Sequence, residues 1–182
     1  MNGPTLEQFK AELQDLLSGD LELGLGHDLI RTSLARGVVP EEGQSAVDRE
    51  ARTIHGVALA TKGQAQGHGL LLDDTFLDQL TTAGNKSKMG VKVRFDHPSA
   101  SSSSMGKTLG RAKNLRRDGD ITRGDLQLLK AASNGPEGDL AGHVMDLAEE
   151  APDLFGMSVV FQGKHEEQLD EDGKPKVVSQ VG

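Results

Sequence analysis

The chain of 182 residues contains no cysteine, no tryptophan and no tyrosine, and aromatic residues make up 3% of it. The lack of cysteine excludes disulfide bonds, thiolate chemistry and cysteine-based zinc sites, and it suits a reducing compartment. No apolar run is long enough for a membrane span or a signal-peptide core. The sequence therefore predicts a protein with no membrane partner that stays in the cytosol in which it is made.

The composition also limits the core and the partners. Hydrophobic residues are 35% of the chain and glycines number 23, so we expect a core of leucine, valine and alanine with much loop. The net charge of −8 argues against general nucleic-acid binding. Basic side chains do cluster on residues 107–123, but no stacking aromatic residues accompany them. The length fits one domain with an extension.

A hydroxyl group lies within an apolar, strand-like run at residues 151–161. Ser158 has apolar residues on both sides, and Gly156 leaves room for another group to approach. One interpretation is a buried serine whose hydroxyl is satisfied by a neighbouring carbonyl. The other depends on a second stretch of the chain.

That second stretch, residues 89–98, alternates apolar and polar side chains as a half-buried strand does. The alternation carries His97 to the end of the apolar face, and Pro98 ends the strand because it has no N–H to donate. A single histidine in such a place is often structural. Together with Ser158, 61 residues later, it is a candidate general base beside a candidate nucleophile.

The residues around this pair resemble a known family. The segments 95–97 (Phe-Asp-His), 105–111 (Met-Gly-Lys-Thr-Leu-Gly-Arg) and 156–161 (Gly-Met-Ser-Val-Val-Phe) resemble the capsid maturation, or prohead, proteases of tailed bacteriophages. Those enzymes are distant relatives of the herpesvirus assemblins. The likeness extends over residues 52–181, with the histidine before the serine.

The resemblance implies a serine endopeptidase with Ser158 as nucleophile and His97 as general base. It implies cleavage of scaffold and major capsid protein precursors, and of the protease itself, by a homo-oligomer. The place of action would be the assembling prohead in the cytoplasm of an infected host cell. No cofactor and no metal are expected.

The resemblance also indicates the remaining parts of the site. Gly110 and Arg111 are possible suppliers of the oxyanion N–H donors. The family's third catalytic residue is an acid or a second histidine about two dozen residues after the serine, so it is expected beyond Gly182. Residues 165–167 follow Ser158 too closely to match that position. The family often has Ile-Gly where this chain has Val159-Val160.

The predicted elements sum to an α+β fold with a mostly antiparallel sheet. Asp74 or Thr75 is predicted to cap a helix that carries Phe76, Leu77 and Leu80 and is closed by a left-handed Gly84. Pro136 is predicted to begin another helix with a buried stripe, and His143 beside that stripe is expected to be a partly buried structural histidine. The residues of the stripe are Leu140, Val144 and Leu147. Asp118-Gly119 predicts a hairpin. From Arg52 the pattern predicts a strand, and Gly56 within it predicts a bulge. The resemblance sharpens the fold to a closed β-barrel flanked by two or three helices, as in herpesvirus proteases.

The sequence predicts two regions and leaves alternatives open. Residues 1–50 are expected to be an N-terminal helical extension and linker, and residues 51–182 the protease barrel, truncated at its C-terminal end. The main alternative is a non-catalytic capsid-assembly or scaffolding barrel in which Ser158 and His97 are core residues. A barrel that binds a small ligand is a third possibility.

Overall fold

A computed structural model describes residues 29–31, 35–65, 70–95, 107–136, 138–169, 171, 173 and 175–181, with only the backbone at 29–31, 162–167 and 175–181. The predicted N-terminal helix, the serine-rich segment 99–104 and His97 lie outside the described residues. The elements, in chain order, are β1 (Leu29–Arg31), β2 (Ala35–Arg36), β3 (Val47–Asp48), β4 (Thr53–Thr61), β5 (Gly63–Ala65), β6 (Leu70–Leu72), α1 (Asp74–Lys86), β7 (Val91–Arg94), β8 (Thr108–Asp118), β9 (Ile121–Leu128), a 3₁₀ helix (Lys130–Ser133), α2 (Leu140–Glu150), β10 (Gly156–Met157), β11 (Val160–Leu169) and β12 (Pro175–Val181).

The strands form two five-stranded sheets and one two-stranded sheet. The first sheet has the order β3-β4-β9-β8-β7 and is antiparallel throughout. The second has the order β1-β11-β12-β6-β5, with one parallel pair, β12 and β6. Strands β10 and β2 make the small sheet. The predicted hairpin is confirmed as β8 and β9, with Gly119 at a φ of 55° in its turn.

The expected closed barrel is wrong, because none of the described sheets closes on itself. A barrel requires its first and last strands to pair. The edge strands are β3 and β7 in the first sheet and β1 and β5 in the second, and neither couple is hydrogen-bonded among the described residues. The fold class that stands is α+β with mostly antiparallel sheets and, among the described residues, two α-helices.

The segment before residue 51 is part of the sheets where the structure describes it. Strands β1, β2 and β3 pair with β11, β10 and β4. The predicted linker at 37–44 contains Val38, which forms an isolated bridge with Val57. The predicted boundary at residue 50 therefore does not separate residues 35–50 from the sheets.

The predicted bulge at Gly56 is confirmed by a register shift between Ile54 and Val57 in the pairing of β4 with β9. Gly56 has a φ of 69°, and a Cβ there would lie 1.8 Å from the Val39 carbonyl oxygen. Only glycine tolerates both conditions. The bulge thus brings the 37–40 segment directly onto β4.

Helix α1 has the predicted buried face, but it begins and ends at residues other than those predicted. Its N-cap is Asp73, whose carboxylate accepts a hydrogen bond from the Phe76 N–H at 2.8 Å, instead of Asp74 or Thr75. The prediction that Gly84 ends the helix is wrong, since α1 continues to Lys86. A Cβ at residue 84 would lie 2.3 Å from Leu115 Cδ2. Gly84 therefore allows β8 to approach the helix.

Helix α2 begins at Leu140 and not at Pro136, with Asp139 as its N-cap. Gly138 has a φ of 85°, which interrupts a right-handed helix between the proline and Asp139. Of the predicted inward positions, Leu140 and Val144 are buried, and Leu147 is partly buried.

Two apolar clusters form the core. The larger lies between the first sheet and α2, and the smaller joins α1 to β5, β6 and Phe161. Val159 packs against both clusters, and Met157 packs against the larger one. Ser158, between these two residues, thus lies where the clusters meet. Neither described helix is long and apolar enough to cross a membrane.

Candidate functional site

Ser158 lies in a short gap between two strands. The prediction of one continuous buried strand is wrong here, because β10 ends at Met157 and β11 begins at Val160. Gly156 pairs with Arg36, and a Cβ on Gly156 would lie 2.3 Å from the Ala35 carbonyl oxygen. The close approach of β2 therefore requires glycine two residues before the serine. Ser158 itself is partly buried.

A cavity of about 320 Å³ adjoins this gap. Its described lining consists of two extended segments and four residues from the sheet and α1: 91–95, 156–160, Leu59, Leu80, Ala112 and Leu115. Ser158 is thus in the wall of the cavity, opposite the last strand of the first sheet. A cavity with mostly apolar walls and a few polar groups is the usual form of a ligand site.

The other predicted catalytic residue, His97, lies outside the described residues. The described chain before it ends at Phe95, which lines the same cavity as Ser158 and is 44% exposed. The structure therefore brings the start of the Phe-Asp-His motif to the serine motif. The predicted pair itself stays a prediction.

His143 contacts Phe95, the residue that follows β7. The sequence favoured a partly buried structural histidine at this position on α2, but the side chain is exposed. Its ring meets the Phe95 ring edge to face, with 5.9 Å between the centroids. Helical periodicity could not reveal this contact, because Phe95 is distant in sequence.

Gly110 and Arg111 lie in β8, an interior strand that pairs with both β7 and β9. Neither residue is in the described lining of the cavity. A Cβ on Gly110 would lie 2.1 Å from the Gln127 carbonyl oxygen, so close packing of β8 on β9 explains this glycine. The structure does not bring the two residues to Ser158, and the oxyanion assignment stays a prediction.

Sequence reasoning missed Arg94. Simple alternation put it on the polar side of the strand, but the pairing of β7 with β8 shifts register between Val93 and Arg94. Bulges of this kind redirect side chains, often beside functional sites. Arg94 lines the cavity, and within the described part of the chain its buried Nε and Nη2 atoms have no hydrogen-bond partner. Buried donors of this kind are uncommon and need an explanation.

The charges in the cavity wall have one sign. Lys92 and Arg94 are the charged side chains in its described lining, and no carboxylate belongs to that part of the wall. The chain as a whole is acidic, with a net charge of −8. The cavity is thus a local positive site on an acidic protein, which favours a ligand with negative charge.

A separate polar cluster surrounds Asp125 on β9. Its carboxylate accepts hydrogen bonds from Asn114 Nδ2 at 2.9 Å and from the Gly56 N–H at 3.2 Å, and it lies 3.5 Å from both His55 Nδ1 and Arg116 Nη1. Burial acts to raise the pKa of Asp125, but these hydrogen bonds and the neighbouring His55 and Arg116 outweigh it and hold the pKa below its ordinary value. The cluster joins β4, β8 and β9 and is not in the described lining of the cavity.

Within the described residues, no group of three or more histidine, aspartate or glutamate side chains is arranged to hold a metal ion. No protein-family model, curated protein or solved structure matches the chain. The resemblance to prohead proteases therefore rests on the three short motifs.

Proposed function

We propose that this protein is a serine endopeptidase of the capsid-maturation type, with Ser158 as nucleophile and His97 as general base. The observation that supports it is that Ser158 and Phe95, two residues before His97, line one cavity. Two residues of chain span at most about 7 Å, so the His97 Cα is within about that distance of the Phe95 Cα.

In the proposed mechanism His97 accepts the proton of the Ser158 hydroxyl as Oγ attacks the carbonyl carbon of the scissile peptide. The C–N bond then breaks, and His97 gives the proton to the leaving amine. Water hydrolyses the remaining serine ester with His97 again as base. The third residue that would orient the imidazole is unassigned, and Gly110 and Arg111 remain the proposed oxyanion donors.

The proposed substrates are the scaffold and capsid-protein precursors and the chain itself. The proposed enzyme is a homo-oligomer inside the assembling prohead, in the cytoplasm of an infected host cell. The three motifs around His97, Gly110 and Ser158 support this proposal. An open cavity beside a strand edge suits substrates of this kind, because proteases bind extended segments of their substrates.

The second candidate function is a non-catalytic capsid-assembly or scaffolding protein. The observation that favours it is that Ser158 already makes an interaction within the protein. A partly buried serine between Met157 and Val159, which pack on the two apolar clusters, can be a structural residue. The two functions differ in whether Ser158 Oγ is nucleophilic.

A fluorophosphonate probe tests that difference, because it labels activated serines without knowledge of the substrate. We expect labelling at Ser158, none in Ser158→Ala, and a labelling rate about a hundredfold or more lower in His97→Ala, since the base would be missing. Peptide mapping by mass spectrometry identifies the labelled residue. Cleavage of the chain on standing, followed by gel, should be lost in the same two variants.

The matched control is Ser45→Ala, which removes an exposed hydroxyl that donates to the Val47 carbonyl at 3.0 Å. This variant should be labelled at Ser158 as fast as the unchanged protein. Equal labelling of Ser158→Ala and the unchanged protein would end the protease assignment. A correctly folded but unlabelled and uncleaved protein would favour the assembly function.

A further inference from the structure

The cavity runs along the edge of a sheet. Side chains on a strand point alternately to opposite faces, so a cavity over one face would be lined by every second residue. Here all five residues of 91–95 and all five of 156–160 line it. Both segments therefore present their backbones, and not only one row of side chains, to the space between them.

The first of these segments has an open edge. Strand β7 ends its sheet, and among the described strands it pairs with β8 alone. Edge strands offer a row of N–H and C=O groups that an extended peptide can join as an added strand. Val91, Phe95 and Val160 are each at least 40% exposed around the cavity, which suits an occupant with apolar side chains.

The inner end of the cavity is apolar. Leu59, Leu80 and Leu115 line it, and each is at most 8% exposed. The cavity volume of about 320 Å³ is at the small end of ligand sites but is ample for one or two peptide side chains. A peptide that lies along β7 can place an aliphatic side chain against these leucines.

Arg94 supplies a positive charge that can pair with a carboxylate of the peptide. Its Nε and Nη2 atoms are buried and have no hydrogen-bond partner among the described residues, which is an unfavourable state for a guanidinium. A rotation of the side chain toward the cavity would exchange two unpaired donors for a charge-assisted pair with a carboxylate.

We infer that the cavity binds an extended peptide as an added strand on β7, with an aliphatic side chain against the leucines and a carboxylate side chain on Arg94. The peptide class is therefore a glutamate or aspartate next to aliphatic residues. This inference rests on the proposed function only in taking that peptide to be the protease substrate. Peptide binding itself requires no catalysis.

The test measures binding in the Ser158→Ala protein, which cannot cleave the probe. The probes are fluorescein-labelled octapeptides of valine, leucine and alanine with one glutamate placed at successive positions, each with a glutamine counterpart. Fluorescence anisotropy gives the Kd of each glutamate peptide and of its glutamine counterpart. At the preferred position we expect the glutamate peptide to bind about tenfold or more tightly than its glutamine counterpart.

When Arg94→Ala is added to the Ser158→Ala protein, the ratio of the glutamine-peptide Kd to the glutamate-peptide Kd should be close to one. The ratio is insensitive to the fraction of folded protein, and Arg94→Gln provides a second variant of similar length should the alanine variant fold poorly. The matched control is Arg49→Ala, which removes an exposed arginine paired with Asp146 and Glu149 outside the cavity. It should leave the ratio unchanged.

Methylation of the peptide N–H groups distinguishes strand addition from side-chain binding alone. Methyl groups on alternate amides that face β7 should weaken binding about tenfold or more, and methyl groups on the other amides should have little effect. An equal effect in both registers would overturn the strand mode.

Three results would overturn the inference. These are no saturable binding by any probe, a ratio near one with Arg94 present, or a high ratio that survives both Arg94 variants. A different result would contradict the proposed function, namely that the fluorophosphonate probe does not label Ser158. Selective binding without labelling would keep the peptide site and remove the protease assignment.

Discussion

Gly56 and Gly119 both have a positive φ, of 69° and 55°, but their surroundings differ. Nothing lies within 4 Å of a Cβ built on Gly119, whereas one on Gly56 would overlap the Val39 carbonyl. Gly119 is therefore needed only for its positive φ. Gly56 is needed for its positive φ and also for the close approach of another chain segment.

We expect Gly56→Ala to lower the free energy of unfolding by about 2 to 4 kcal/mol, because it adds a backbone overlap to the left-handed conformation. Gly119→Ala should cost about 1 to 2 kcal/mol, from the conformation alone. Urea unfolding of the two variants measures the difference. Equal losses would mean that the 37–40 segment moves away from β4 freely.

At the scale of elements, the short strands before residue 51 hold the edges of the later sheets. Val38, which bridges to Val57, is 9% exposed and belongs to the larger apolar cluster. Its neighbour Val39 is 51% exposed. The two adjacent valines thus form a matched pair for asking whether this segment folds with the sheets.

Val38→Ala should lower the free energy of unfolding by about 1 to 3 kcal/mol, because two buried carbon groups are lost and a cavity is left. Val39→Ala should change it by no more than about 0.5 kcal/mol. Both values come from denaturant titrations. Should Val38→Ala match Val39→Ala, residues 35–50 would not belong to the cooperative unit.

At the scale of the whole molecule, charges connect segments that are far apart in sequence. Asp125 on β9 joins His55 on β4 to Asn114 and Arg116 on β8. Arg116 also lies 3.3 Å from Glu41, so the cluster reaches the segment before β3. Loss of the charge on Asp125 should therefore weaken the contacts of several elements together.

The lowered pKa of Asp125 makes part of the stability depend on pH. The folded pKa lies below the unfolded value of about 3.9, so its contribution is present above that value and is lost as the pH falls through the folded pKa. At pH 7 Asp125→Asn should lower the free energy of unfolding by about 1 to 2 kcal/mol. The difference in unfolding free energy between the unchanged protein and Asp125→Asn should become smaller below about pH 4.

Denaturant titrations between pH 7 and pH 2 measure this difference. The control is Asp153→Asn, which changes an exposed carboxylate in the turn after α2 and should leave stability nearly unaffected at each pH. A difference that stays constant down to pH 2 would contradict the lowered pKa.

The sequence alone predicted the features that depend on nearby residues. The hairpin at Gly119 follows from turn chemistry, and the structure confirms it. The strand predicted at 89–98 is present as β7, but of its predicted apolar face Val93 is buried whereas Met89, Val91 and Phe95 are exposed. The predicted buried faces of both helices are confirmed except at Leu147, which is partly buried. The bulge at Gly56 was also predicted from nearby residues. The catalytic assignment of Ser158 also comes from sequence and stays a prediction.

Tertiary structure decided the features that depend on distant residues. Gly84 lies inside a helix at a place where a Cβ would meet Leu115, and the described sheets are open because their edge strands do not pair. The cavity is lined jointly by residues 91–95 and 156–160, which are distant in sequence, and the pairing of β7 with β8 shifts register at Arg94. No pattern within one strand contains this information, since pairing and close approach depend on which distant segment lies alongside.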